Sequence, residues 1–474
     1  MVLRRAFPVL LVLLTIGAGA PASAAEEDED DPKPQTPPTG VSTGPPIRYT
    51  LPPAHARDLR ACSSRTPICV HADSAEEGKT ALDVLAAFER AWTMLTGALA
   101  LPAPDLDPDT LAYDVHLVAE DAAFPELVAT HLASRDVRSR IDRGGAFTVV
   151  DRRMRAGCML DALAAKSIAR AILFRVAPST EDGSAHGQTA YLARLVVPCA
   201  AALALDSTKT FQGLPERSFC DAHAPDDTKA PPGWGPMPAT RASLLFAEGG
   251  SLFWERIDWA FGRSPGILVA ATWALHPTRT PSPSPRWVNE HDTFDVLRVS
   301  FKDALSRGST IHDLMLDFGV ARAFFGSADD GLHAPETRVL GDAAKVPLDW
   351  DIPWPTKPRR LQPRAAVYPM GSSYVMISRK DARPGSRLRV EIDWEEHALF
   401  RWALVKLDAR GTELGRVPIA SQERATRAQM TLVELDNVDR VLIVGVNVGD
   451  PTYAFDPDDE VWEPHGWLLT LAEE

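Results

Sequence analysis

Apolar residues recur with two different periods along this 474-residue chain, and the change of period divides it. Up to about residue 325 the spacing is helical. The longest such stretch, 157–176 (GCMLDALAAKSIARAILFRV), is apolar around most of its circumference and is interrupted by Asp161, Lys166, Arg170 and Arg175. That pattern predicts a helix buried on most sides. A short β-rich run at 146–151 precedes it, so the order is strand, turn, buried helix. Upstream, Leu82, Leu85, Phe88, Trp92 and Leu95 predict a helix over 74–95, with Ser74 and Glu77 as a capping box. Alternation of Tyr113, Val115, Leu117 and Ala119 predicts a strand, with His116 on its opposite side as a solvent-exposed or hydrogen-bonded residue.

A short helical piece is expected at 126–134 and a second helical run at 188–205, broken at Pro198. The helix expected over 240–261 carries Ala242, Ser243, Ala247, Gly249, Gly250 and Ser251, small residues that suit close packing against another helix. Ser264 and Pro265 read as the N-cap and first position of the next helix. Helices at 293–306 and 311–325 follow, with Gly308 and Gly326 as their terminators. Residues 329–364 are Pro-rich and aperiodic, which predicts an interdomain linker.

Beyond the linker the period becomes two. Leu388, Val390, Ile392 and Trp394 alternate with charged residues, and further strands are expected near 372–378, 399–407, 414–420, 429–435, 440–448 and 466–472. Residues 408–411 read as a hairpin turn. The expected fold class is α+β: a mainly helical body over 55–328, then an all-β antiparallel sandwich over 365–474 that folds by itself.

The N-terminus changes the picture of location. Arg4 and Arg5, an apolar core at 9–16 and Ala22-Ser23-Ala24 read as a signal peptide over 1–24, followed by an acidic, Pro-rich disordered tether over 25–50. No later run is long and apolar enough to span a bilayer, so the expectation is export to a bacterial periplasm or the extracellular space. The formal charge of −14, with six acidic residues in a row at 26–31, speaks against nucleic acid or anionic membrane as principal partners. Five cysteines fit an oxidising compartment. Cys62 with Cys69 brackets a short loop; Cys158 with Cys199 would clamp the buried helix, with Cys199–Cys220 as the alternative.

Recognisable catalytic motifs are missing from the sequence. The histidines are scattered, and HExxH, GxSxG and GxGxxG do not occur. Residues 73–80 (DSAEEGKT) place Glu76 and Glu77 where a phosphate would have to lie, and the acidic run 450–460 lacks EF-hand spacing. No cofactor and no metal is expected.

The order of strand, buried helix, second helix, a GGSLFWERI helix and a terminal sandwich resembles secreted gluzincin-type metallopeptidases over roughly residues 70–325. The resemblance lies in element order. In that family's register, Lys166-Ser167-Ile168-Ala169-Arg170 falls where His-Glu-x-x-His would be, and Gln188 stands for the third ligand, with Tyr191 one turn on. Two cations cannot ligate zinc and Ser cannot replace the general base, so the resemblance implies a degenerate cleft in which Glu248 partners Lys166. The competing view is a plain polar stripe, since like charges at i,i+4 cost only about 0.2–0.5 kcal/mol when exposed. The expected function is an exported, non-catalytic protease-like protein that binds an unknown protein or glycan at the cell envelope. The alternative is a secreted hydrolase with a non-standard active site.

Overall fold

The computed structural model describes residues 50–119, 127–136, 143–178, 180, 182–221, 239–262, 264–275, 293–300, 310–419, 425–450 and 463–474. The expected signal peptide 1–24, the tether 25–50 up to residue 49, Gly308 and nearly all of the acidic run 450–460 lie outside the described residues.

The first half builds a mixed sheet. A hairpin, β1 (Leu59–Cys62) and β2 (Ile68–Ala72), leads through a 3-10 turn into α1 (Gly78–Trp92). Then come β3 (Tyr113–Val118), β4 (Val128–Asp136), β5 (Arg143–Asp151) and α2 (Cys158–Val176). The strand order is β1-β2-β3-β5-β4, parallel between β2, β3 and β5 and antiparallel at both edges. Val70, Val115 and Val150 face one way and meet Phe88 of α1 and Ile168 and Ile172 of α2 in one core. This is why α2 is apolar nearly all round: the sheet, α1 and the next helix each cover part of it.

Two expectations fail here. Residues 126–134 were expected as a helix, but 128–136 form β4, because register with β5 overrides the local propensity of a Leu/Ala-containing run. Ser74 makes no side-chain cap, and α1 starts at Gly78; the Glu77 carboxylate instead accepts from the amide of Asp73.

The helical body continues with α3 (Asp182–Val196), the short α4 (Ala200–Leu203), α5 (Leu205–Gln212), α6 (Ala239–Gly249), α7 (Ser251–Phe261), α8 (Ile267–Leu275), α9 (Thr293–Ser300) and α10 (Ile311–Arg322). Pro198 sits at the break after α3, as its missing N–H requires. The helix expected over 240–261 is two helices meeting at Gly250. A Cβ on Gly249 would lie 2.3 Å from Phe211 Cβ, so α6 seats on α5 only because that position is bare. Ser264 and Pro265 do not open α8. The carboxylate of Asp258, on α7, accepts from the amides of Gly266 and Leu268 and caps α8 from outside it. Gly326 does not end α10, which stops at Arg322; Arg322 is buried and donates to the carbonyls of Phe211 and Pro215 and to Gln212 Oε1.

The expected linker 329–364 is ordered and belongs to the neighbouring sheets. After a 3-10 run at Pro335–Ala344, it supplies β6 (Trp350–Pro353) and β7 (Arg359–Leu361). The other strands are β8 (Ser372–Ser378), β9 (Leu388–Trp394), β10 (Phe400–Leu407), β11 (Glu413–Ile419), β12 (Arg427–Leu432), β13 (Arg440–Asn447) and β14 (Trp467–Glu473). They form two sheets, β11-β10-β13-β8-β6 and β12-β9-β14-β7, which enclose a core containing Val390, Ile392, Trp402, Ile443 and Leu469. All pairings are antiparallel except that β6 runs parallel to β8. Pro353 and the brevity of β6 and β7 are edge-strand properties, and they hide period two in the sequence. The protein is thus α+β. The sandwich is not a separate bead: Leu442, Val444 and Val446 of β13 belong to the same core as Phe318 of α10.

Candidate functional site

Helix α2 places Lys166 and Arg170 one turn apart, both half-buried. The ammonium of Lys166 donates to Glu248 Oε1 on α6, the partner expected for it, with the two side chains 23% and 18% exposed. The Arg170 guanidinium lies 4.6 Å from the ring centre of Phe174. Ser167 turns inward: its residue is buried and its carbonyl accepts from Thr130 on β4 at 3.4 Å. Thr130 in turn touches Thr148 at 3.0 Å, and Thr148 meets the Tyr113 hydroxyl at 2.6 Å. Ser167 therefore belongs to the helix–sheet seam.

Gln188 and Tyr191 are committed elsewhere. Gln188 is fully buried on α3; it accepts from the indole N–H of Trp273 on α8 and donates to Thr293 of α9 at 3.3 Å. The Tyr191 hydroxyl donates to Asp258, and burial with that neighbouring carboxylate pushes its ionisation far up. The structure therefore brings Lys166 and Glu248 together, and it directs the polar atoms of Gln188 and Tyr191 to α7, α8 and α9. Chemically, the α2–α6 pair is a salt bridge.

A different cluster is the most polar buried feature of the sheet, and the sequence reading missed it. On the face turned away from α1 and α2, in-register pairing of β2 with β3 sets His71 beside His116. Their rings stack at 4.6 Å between centroids, and His55, from the segment before β1, stacks on His116 at 5.2 Å. His55 Nε2 and His116 Nδ1 share a hydrogen bond of 3.1 Å. His71 Nδ1 lies 2.7 Å from Asp58 Oδ1, and His71 Nε2 lies 2.8 Å from Asp114 Oδ1. With a carboxylate at each nitrogen, both must donate, so the ring is an imidazolium. Burial alone would lower its pKa, but the bonds to Asp114 and Asp58 outweigh that and raise it. His116 is the opposite case: burial first, then the charges of His71 and His55, push it down to about 3. The expected facing of His116 away from Val115 holds, and the residue is buried rather than bathed in solvent.

The three rings lie within 9–21° of parallel. In-plane lone pairs on stacked rings do not converge on one point, as a tetrahedral metal site requires. Among the described residues, no group of three or more His, Cys, Asp or Glu is arranged to hold a metal ion. What could have revealed the cluster is the repeated Val-His step in two strands separated by one helix, at Val70-His71 and Val115-His116.

No family model matches this chain, and no curated protein matches it. Among solved structures it has a likeness to the pre-peptidase C-terminal domain of a collagenase from Bacillus anthracis, at 5% identity over 27% of this chain and 97% of that one, with a TM-score of 0.18. A second likeness is to the VP2 subviral particle of infectious bursal disease virus, at 13% identity over 24% of this chain and 33% of that one, with a TM-score of 0.17. At those scores neither carries an argument about fold or activity. Two disulfides are formed, Cys62–Cys69 and Cys158–Cys199, while Cys220 remains a buried thiol beside Ser218 Oγ at 3.0 Å. Among the described residues no helix is long and apolar enough to cross a membrane.

Proposed function

We propose that this is an exported, non-catalytic protein with a protease-like helical body, which binds a protein or glycan at the cell envelope. The observation that supports it most is the Lys166–Glu248 ion pair. It occupies the helix positions where a peptidase of the resembled type would carry a zinc ligand. A cation fixed there by a carboxylate repels a metal ion and can neither ligate it nor activate water. Gln188, at the place of the third ligand, spends both polar atoms on Trp273 and Thr293. Export rests on the signal-like N-terminus and agrees with two disulfides.

Two measurements on the purified full-length mature protein test the proposal. Elemental analysis and a general protease assay should give no stoichiometric zinc and no cleavage. Co-sedimentation with isolated envelope fractions should retain the protein, and prior protease or glycosidase treatment of the fractions should tell a protein ligand from a glycan. About one zinc per chain, or turnover of a peptide substrate, would overturn the non-catalytic assignment in favour of a hydrolase.

A further inference from the structure

The segment 50–58 crosses the sheet face opposite α1 and α2. Its first amide, Thr50 N, donates to Leu132 O on the β4 edge at 2.9 Å, and its far end places Asp58 on His71. Between these, Ala56 N donates to Asp73 Oδ1 at 2.8 Å. Of residues 51–58 only Pro53 and His55 are not exposed, and the His55 side chain is 4% exposed. The segment is therefore seated by two backbone hydrogen bonds, by Asp58 on His71 and by one buried imidazole stacked on another.

We propose that residues 50–58 form an acid-released strap, latched to the sheet by the His55–His116 stack and freed when that stack gains protons. The charges facing the latch decide the sign. From β1, Arg60 donates to Asp58 at 2.7 Å. From β2, His71 is a cation whose two protons are already taken by Asp58 and Asp114. From β3, Asp114 also accepts from Thr110 at 2.7 Å. Across β5, the edge of Phe147 meets the His116 ring at 5.5 Å, with His131 of β4 beyond it. Asp73 faces His55 Nδ1 at 3.4 Å and is half exposed. Among the described residues no hydrogen-bond partner meets His116 Nε2 or His55 Nδ1, although both atoms are buried.

A proton on His116 in the closed state therefore sits beside the His71 cation without a carboxylate of its own. Protonating both rings of the pair also removes the lone pair that accepts the ring-to-ring bond. Opening the strap lets water reach His116 and takes His55 away, so the ring gains its proton at a higher pH than in the closed state. The closed form therefore binds fewer protons than the open one, so closure is favoured at neutral pH and weakens as pH falls through the open-state value of His116 towards about 3. His71 acts in the opposite sense, since its raised value stabilises closure below 6.5 and loses that contribution as pH rises. Because Asp114 stays with His71 when the strap leaves, only the Asp58 share of that opposing effect is at stake.

Hydrogen exchange of the full chain, followed by mass spectrometry and corrected for the intrinsic pH dependence of exchange, reads the latch directly. Between pH 7.5 and 5.0, protection in peptides covering 50–58 should drop by about ten-fold or more, while protection in α2 holds within a few-fold. His116→Gln keeps a group that can donate and accept but cannot titrate, so its strap should show no such drop. Unchanged strap protection in the wild type, an equal drop in His116→Gln, or loss in α2 in step with the strap would each overturn the latch. Should His116→Gln fail to fold, the wild-type contrast between the strap and α2 decides.

Discussion

The hydroxyl of Tyr374 on β8 donates to the backbone carbonyl of Gly319 on α10 across 2.8 Å. At the same helix position a Cβ would come within 2.5 Å of Val446 Cγ2 on β13. Helix α10 is thus seated on the sandwich as closely as backbone allows, and β13 is apolar on both faces because one meets α10 and the other meets the second sheet. Gly319→Ala should destabilise the whole chain by about 1–3 kcal/mol, the usual cost of overpacking. Chemical denaturation checks this, and a change within experimental error would mean that the α10–β13 seam is looser than it looks.

The same seam argues against residues 365–474 folding alone. That fragment lacks β6 and β7, and it bares Tyr374, Leu442, Val444 and Val446, which the body covers. It should show no cooperative thermal transition by circular dichroism. A sharp transition with dispersed amide shifts would restore the independent sandwich.

The two disulfides should differ in weight from the Cys220 thiol. The Cys158–Cys199 bridge spans 41 residues and ties the start of α2 to the turn before α4. Its loss in Cys158→Ser should cost about 2–4 kcal/mol. Cys220→Ser keeps the size and a polar contact to Ser218, so it should cost about 1 kcal/mol or less. Thermal melts under non-reducing conditions rank the two, and an equal loss in both would refute the ranking.

The physics of each element decides how much of this was legible in the sequence. Strands β9, β10 and β13 declared themselves because a half-buried strand must alternate and a doubly covered one must be apolar throughout. Helix α2 did so because burial on most sides leaves few polar positions. Strand β4 did not, since Leu127, Ala129, Leu132 and Ala133 suit a helix until β5 pairs with them. Strands β6 and β7 were lost among prolines. The Lys166–Glu248 pair was within reach because charged residues on two apolar helices need each other. The histidine stack was not, because His55, His71 and His116 meet only through sheet register and a crossing segment.

Where β11 meets the body, the Glu413 carboxylate lies 2.8 Å from His333 Nε2 and accepts from Arg416 Nε at 2.7 Å. Burial alone would push its pKa up, but the hydrogen bonds from His333 and Arg416 outweigh it and hold the value at about 2. A carboxyl depressed in the folded state contributes stability that is present above its ordinary value of 4.5 and is lost as pH falls from there to about 2. Its side chain is only 10% exposed, so the contribution is about 2–3 kcal/mol. Glu413→Gln should lower stability at pH 7 by that order and flatten the decline between pH 4.5 and 2. A parallel decline in wild type and variant would assign the acid sensitivity to other carboxylates.

Lys166 and Glu248 give the sharpest test of what α2 has become. Were Lys166 part of a solvated stripe, removing its partner would change stability by no more than about 0.5 kcal/mol. With both side chains about four-fifths covered, losing one partner leaves the other charge without its counterion in a poorly solvated place. Glu248→Ala and Lys166→Met should therefore each cost about 1–3 kcal/mol, less than the 3–5 kcal/mol of a fully buried pair. The double variant Lys166→Met with Glu248→Leu removes both charges and fills the space with apolar atoms. It should lie closer to wild type than either single variant, because the single variants suffer mainly from a stranded charge. Additive losses in the double-mutant cycle would mean that the two side chains do not depend on each other. The ion pair would then cease to be a reason for reading this helix as a structural strut in place of a catalytic one.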